Sequence, residues 1–269
     1  MNRITQCLQT LKESNRKALV TYIVNGDPVP QATLKTMHAL VEKGADIIEL
    51  GVPFSDPMAE GPSIQRGHER ALEHKTSLRN TLEVVRAFRE TDSKTPVVLM
   101  GYTNPVERMG AETFATLAKD AGVDGLLTVD LPPEEAPNLI ERLKSAELEN
   151  IFLLAPTTSD ERAEKVISMA SGFLYYVSLK GVTGAGHLNV DEVNARISRL
   201  REQTSLPICV GFGIKDGESA KSVGQKADGV VVGSVLVSKM GDLADQPADV
   251  IAEQTAELIS PIRAALDEL

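Results

Sequence analysis

Ile47-Ile48-Glu49-Leu50-Gly51 sets one carboxyl group inside an apolar run. Strand alternation puts Ile48 and Leu50 on one side and Ile47, Glu49 and Gly51 on the other. With the first pair turned toward covering helices, Glu49 points inward, and partial desolvation raises its pKa toward neutrality. A carboxyl group in that state can give and take back a proton. The competing reading is a glutamate paired with a buried Arg or Lys, although no basic residue lies in the run itself.

The segment that follows, Val52-Pro53-Phe54-Ser55-Asp56-Pro57-Met58-Ala59-Glu60-Gly61-Pro62, is long for a strand-to-helix connection and carries two more acids, Asp56 and Glu60. Long loops in compact domains are often functional; a solvated surface loop is the other reading. Glycines mark three later sites: Gly181-Val182-Thr183-Gly184-Ala185-Gly186, Gly211-Phe212-Gly213 and Gly233-Ser234. The first is neither a P-loop, since His187 stands where Lys is needed, nor a dinucleotide fingerprint, since Asn189 replaces the third glycine. By itself it could be a flexible lid. Glycine turns at strand ends let backbone N–H groups close on an anion, and a short helix expected from Ser234 to Met240 adds its N-terminal field. Tight packing turns are the alternative. Three such sites at consecutive strand ends favour phosphate.

These residues need a frame. Eight β-branched or leucine-rich runs recur along the chain: 18–24, 46–51, 96–101, 125–129, 151–155, 173–178, 207–212 and 229–233. Most are continuously apolar, the pattern of strands covered on both faces. Helical spacing links Leu34, Met37 and Val41; Leu78, Leu82 and Val85; Leu139 and Leu143; and Val193, Ile197 and Leu200. An extra helix comes first (Ile4, Leu8, Leu11) and another closes the chain (Ile251, Leu258, Ile262, Leu266). Asp27-Pro28, Ser159-Asp160-Glu161 and Asn189-Val190-Asp191-Glu192 offer helix starts. Lys43-Gly44-Ala45-Asp46, Asp120-Ala121-Gly122-Val123-Asp124 and Lys226-Ala227-Asp228 look like one helix-to-strand turn used repeatedly. The fold class expected is α/β, a single (β/α)8 TIM barrel over residues 1–269, with an extra N-terminal helix and a short phosphate-site helix after strand 8. An open doubly wound sheet needs fewer strands and a switch point. In such a barrel the chemistry sits at the C-terminal strand ends.

Composition narrows the partners. The 269 residues carry 28 Lys+Arg against 38 Asp+Glu, a net charge of 28 − 38 = −10. That balance argues against nucleic acid and anionic membranes, and it requires that an anionic ligand be held by a local field. Cys7 and Cys209 form no CxxC, and His38, His68, His74 and His187 form no metal-ligand spacing, so no metal is expected; the histidines read as surface or helix residues. The N-terminus lacks a signal-peptide core, and the most apolar run, 229–237, is about half of the ~18 residues of a membrane span. The expectation is a reduced, cytoplasmic location.

The run from Ile48 to Pro62, with Gly181-Val182-Thr183-Gly184, Gly211-Phe212-Gly213 and Gly233-Ser234, closely resembles the signature of the tryptophan synthase alpha chain family, in order along essentially the whole chain. The resemblance implies a (β/α)8 lyase that cleaves indole-3-glycerol phosphate to indole and glyceraldehyde 3-phosphate. It implies a tryptophan synthase beta subunit as partner in an α2β2 heterotetramer. Pyridoxal phosphate is expected in that partner, with no cofactor in this chain. It assigns proton transfer to Glu49 and stabilisation of the indole nitrogen to position 60. It places Tyr22, Met100, Leu127, Tyr175 and Phe212 along the indole slot, and Thr183 on the lid, oriented onto Glu60. It gives the phosphate to Gly184, Gly213, Gly233 and Ser234, and turns Pro53 and Asp56 toward the beta subunit. The family most often has Asp where this chain has Glu60, which moves the carboxylate by about one C–C bond.

Two rivals stay open on the residues. Lys180, after the sixth strand, could serve a Schiff-base aldolase acting on a phosphate sugar. Alternatively, the chain could be a non-catalytic subunit that activates its partner.

Overall fold

The computed structural model describes residues 1–177, 190–211 and 213–269. The apolar runs become strands β1 (Ala18–Val24), β2 (Ile47–Gly51), β3 (Val97–Gly101), β4 (Gly125–Thr128), β5 (Glu149–Leu154), β6 (Leu174–Val177), β7 (Ile208–Gly211) and β8 (Gly229–Val232). Each pairs in parallel with its sequence neighbours, and β8 returns to β1, so the sheet closes into an eight-stranded barrel. The expected (β/α)8 architecture is the one observed.

Alternation along the strands sorts the apolar side chains into two clusters. Leu19, Ile23, Ile48, Leu50, Leu99 and Leu126 point outward into the helix layer. Val20, Tyr22, Ile47, Val98, Met100, Leu127, Ile151, Tyr175, Cys209 and Val231 fill the barrel. Helix α1 (Arg3–Glu13) adds Ile4, Leu8 and Leu11 to this inner cluster and so stoppers the N-terminal end. Its start is capped by Asn2, whose side chain accepts the Ile4 N–H.

The helix layer comprises α2 (Pro30–Glu42), α3 (Pro62–Glu73), α4 (Leu78–Arg89), α5 (Thr103–Met109), α6 (Ala111–Ala121), α7 (Pro137–Ser145), α8 (Asp160–Met169), α9 (Val190–Gln203), α10 (Gly217–Gly224), α11 (Ser234–Asp242), α12 (Ala248–Glu257) and α13 (Ser260–Asp267). The repeated turns are real: Gly44 and Gly122 both take positive φ, +98° and +87°, where they end α2 and α6. Ser159 caps α8 by accepting the Arg162 N–H, with Asp160 and Glu161 in the first turn.

One expectation needs correction, and one helix was not expected. The closing helix is two helices, because Pro261 has no N–H and its ring cannot be accommodated in a continuous run; it sits instead in the first turn of α13. Pro62 likewise opens α3, a helix that the apolar spacing did not announce.

Candidate active site

Glu49 occupies the third position of β2, with Tyr22 of β1 and Val98 of β3 as its register partners. Its side chain is fully buried, and neither carboxylate oxygen has a hydrogen-bond partner. Burial, and after it the charge of Glu60, pushes its pKa up to about 8. Among the described residues no Arg or Lys pairs with Glu49.

Glu60 arrives from the loop after β2 and is itself buried, with burial raising its pKa to about 7. The loop is bound to the barrel at successive points. The Val52 N–H continues the ladder to the Met100 carbonyl at 2.8 Å. Phe54 stacks on Tyr102 with ring centroids 5.0 Å apart, and the Ala59 N–H donates to the Tyr102 hydroxyl at 3.0 Å. The Phe54 N–H donates to His68 Nδ1 at 3.1 Å. At Glu60 itself, the N–H reaches the Pro57 carbonyl at 3.0 Å and the carbonyl accepts Gln65 Nε2 at 2.9 Å.

His68 therefore corrects the expectation that the histidines are bland. It is on a helix, as read, but buried, and burial depresses its pKa to about 4. Sequence reasoning also passed over Tyr102. Both left a trace: Tyr102 directly follows the end of β3, and His68 shares one buried face of α3 with Gly67 and Ala71.

Tyr22, Met100, Leu127 and Tyr175 come together in the inner cluster, around the mouth that Glu49 faces. Tyr175 lies so close to β7 that a Cβ on Gly211 would sit 2.1 Å from its hydroxyl, so only glycine fits there. Gly213 adopts φ +79°, the left-handed region. Gly233 precedes α11, the short helix expected after β8, which begins at Ser234. The amides of Leu236 and Val237 reach the Gly233 carbonyl at 2.9 and 3.1 Å; those of Ser234 and Val235 have no partner within a helix by its geometry. This is an anion-ready helix start. Lys180, Thr183, Gly184, His187 and Phe212 lie outside the described residues.

Pro53 is buried, whereas Asp56 is exposed. Met58 next to them is 72 % exposed. Loop residues 54–58 and α3 frame an open groove of about 310 Å³, lined by Phe54, Met58, Gln65, Glu69 and Leu72. Among the described residues no group of three or more His, Cys, Asp or Glu is placed to hold a metal, and no helix is long and apolar enough to cross a membrane.

The arrangement is two buried carboxyl groups of raised pKa, Glu49 and Glu60, with Tyr22 as the register partner of Glu49 and the turn at Gly233, where α11 starts, packed against Tyr22. Comparison with known proteins shows the family. The family model described as "Tryptophan synthase alpha chain" matches residues 8–266. A protein of that name from Marinobacter nauticus is 55% identical over 100% of this chain and 99% of its own. One from Methylococcus capsulatus is 54% identical over 99% and 100%. The crystal structure of tryptophan synthase subunit alpha from Legionella pneumophila superposes with a TM-score of 0.91 at 44% identity, over 100% of both chains.

Proposed function

The chain belongs to the tryptophan synthase alpha chain family, lyases that cleave indole-3-glycerol phosphate to indole and glyceraldehyde 3-phosphate, and we propose that Glu49 and Glu60 carry that cleavage in it. The carrying observation is the isolation of Glu49: a carboxyl group inside the barrel, without a partner on either oxygen, protonated up to about pH 8.

The reaction is a retro-aldol cleavage. Protonated Glu49 delivers its proton to indole C3, which leaves the ring as a cation with positive charge on nitrogen. Glu60, the more acidic of the two, faces that nitrogen as a carboxylate. Glu49, now ionised, takes the proton of the adjacent glycerol hydroxyl. As that O–H bond breaks, the C=O bond forms, the C–C bond to C3 breaks, and its electron pair returns to the ring. Atoms and charge balance, and Glu49 ends protonated as it began. Because the two acids act on each other, the pH profile reports the pair rather than either residue.

Gly213, Gly233 and Ser234, with Gly184, hold the phosphate through backbone amides and the start of α11, which reconciles a dianionic substrate with a net charge of −10. Met100, Leu127, Tyr175 and Phe212 line the indole slot, and Thr183 orients the lid onto Glu60. Pyridoxal phosphate belongs to the beta subunit in this family, and every step above uses this chain's own carboxyl groups. Membership implies a beta-subunit partner; we assign the contact to the loop carrying Asp56 and the exposed Met58, beside Pro53, in an α2β2 assembly. Two free thiols, Cys7 and Cys209, suit a reducing cytoplasm. Residues 1–269 act as one domain: Arg3 from α1 and Arg263 from α13 both bind at the same end of the barrel.

Glu49→Gln tests the assignment. Indole release falls by about 10⁴-fold, since one group performs two proton transfers, while affinity for glyceraldehyde 3-phosphate is kept. Equal loss of both would make Glu49 a structural residue.

A further inference from the structure

The ring of Tyr22 lies between the two halves of the site. A Cβ on Gly233, at the phosphate turn, would sit 3.2 Å from Tyr22 Cβ and Cδ1. A Cβ on Gly51, two residues beyond Glu49 on β2, would sit 2.4 Å from the Tyr22 hydroxyl oxygen. The side chain thus runs from the phosphate turn to the strand that bears the proton-transfer group. A substrate with its phosphate at Gly233 and its reacting carbon at Glu49 must lay its three-carbon chain across this ring.

The hydrogen bonds around the hydroxyl fix which way its proton goes. The Phe54 N–H can only donate, so His68 Nδ1, 3.1 Å away, must be the unprotonated acceptor. Buried and neutral, His68 then carries its proton on Nε2, which is 3.4 Å from the Tyr22 oxygen. His68 donates and Tyr22 accepts. A hydroxyl has one proton, and that of Tyr22 is left to donate elsewhere. Burial first, and then the charges of Glu60 and Glu49, raise the Tyr22 pKa, so the hydroxyl stays protonated. Both Glu49 oxygens lack hydrogen-bond partners, so the donor is not spent on Glu49.

We propose that Tyr22 is a catalytic hydrogen-bond donor to the glycerol hydroxyl oxygen that becomes the aldehyde, and that His68 is a positioning residue that aims it. This rests on the assignment of Glu49 above and moves Tyr22 from the indole slot to the linker between indole and phosphate. As Glu49 removes the hydroxyl proton, negative charge grows on that oxygen until the C–C bond breaks. A donor fixed before the reaction stabilises that charge without reorganising. Tyr22 keeps its proton throughout.

Steady-state indole release by the full chain tests the proposal. Tyr22→Phe lowers kcat by about 10²-fold, the loss typical of removing one such donor. KM stays within about threefold, because the bond strengthens only in the transition state. The limbs of the pH profile do not move. His68→Leu lowers kcat toward the same level and adds no further loss in the Tyr22→Phe background. His68→Gln, which keeps an acceptor and a donor on one side chain, recovers part of the rate. A Tyr22→Phe chain with kcat near that of the unsubstituted protein overturns the proposal. So does a His68→Leu loss that repeats in full beside Tyr22→Phe, which would make His68 only a loop brace. A moved pH limb in Tyr22→Phe also overturns it, by placing the hydroxyl on Glu49 rather than on substrate. Failure of the Glu49 assignment is seen separately, as undiminished indole release by Glu49→Gln.

Discussion

At the N-terminal end of the barrel, Asp46, Asp124 and Asp228 each stand one residue before a strand. Each accepts a strand amide, from Leu19 at 2.8 Å, Val97 at 2.8 Å and Ile208 at 2.7 Å. Each also meets an arginine: Arg263 at 3.0 Å, Arg89 at 2.7 Å with Arg3 at 2.8 Å, and Arg201 at 2.7 Å. At the C-terminal mouth, Glu49 is fully buried, as Asp124 nearly is and the half-buried Asp46 and Asp228 are not, and it has no hydrogen-bond partner at either oxygen. The same functional group serves opposite ends by opposite treatment. Paired carboxylates pin strands to helices; an unpaired one escapes the cost of a buried charge by keeping its proton, and that proton is what the chemistry needs.

Stability measurements can break this contrast. Asp124→Ala leaves Arg89, a largely buried guanidinium, without its main partner. The expected loss is about 3 kcal/mol, on the order of 8 °C in Tm, with kcat per folded molecule unchanged. Glu49→Gln should do the reverse. Folded Glu49 keeps its proton to about pH 8, whereas the unfolded chain releases it near 4.5. The folded state therefore binds more protons across that window, and stability falls as pH rises through it. Gln removes this slope, so thermal unfolding of the variant at pH 8 occurs above that of the parent chain and the two converge near pH 4. An Asp124 variant that loses activity but not stability would erase the division between the ends.

Glu60→Asp sharpens the contrast within the mouth. The loop reaching Glu60 is fastened at Val52, Phe54 and Ala59, so its backbone cannot follow a carboxylate drawn back by one C–C bond. The variant is expected to lose about tenfold in kcat, corresponding to ~1.4 kcal/mol in the barrier. Undiminished kcat would mean that the loop adjusts and that Glu60 is an Asp in all but length.

The difference between the ends was partly readable from residues alone. Strands buried on both faces announce themselves as continuous apolar runs, and alternation then turned Glu49 inward. The recurring turn before Asp46, Asp124 and Asp228 was visible as a motif. Its purpose was not, because Asp46 meets Arg263 across 217 positions, and no periodicity connects residues so far apart. His68 and Tyr102 were missed for the same reason: their roles lie in gripping a loop, and a loop's contacts are made only once the barrel has closed. The break at Pro261 is different. It was local and present in the residues, but the spacing of Ile251, Leu258, Ile262 and Leu266 outweighed it.

Asp27 asks whether position or pairing decides a carboxylate's behaviour, because it lies beyond β1 at the mouth yet is paired. Arg70 of α3 grips it with two bonds, of 2.6 and 3.1 Å, and also donates to the Val237 carbonyl of α11 at 3.3 Å. Even so, burial outweighs Arg70 and raises the Asp27 pKa to about 6. If pairing decides, Asp27 belongs with the N-terminal aspartates, and Arg70→Leu costs stability in a pH-dependent way. Below pH 6 Asp27 is largely protonated in both proteins, so little is lost. Above it the parent chain keeps a paired anion, while the variant must hold a proton that its unfolded chain releases near 3.8, so the Tm gap widens from pH 5 to pH 8. Loss of the Val237 contact adds a small rise in KM through the phosphate helix, of about twofold to threefold. A Tm gap that stays constant across pH would show that Arg70 contributes only packing between α3 and α11, and that Asp27 takes its character from the mouth, as Glu49 does.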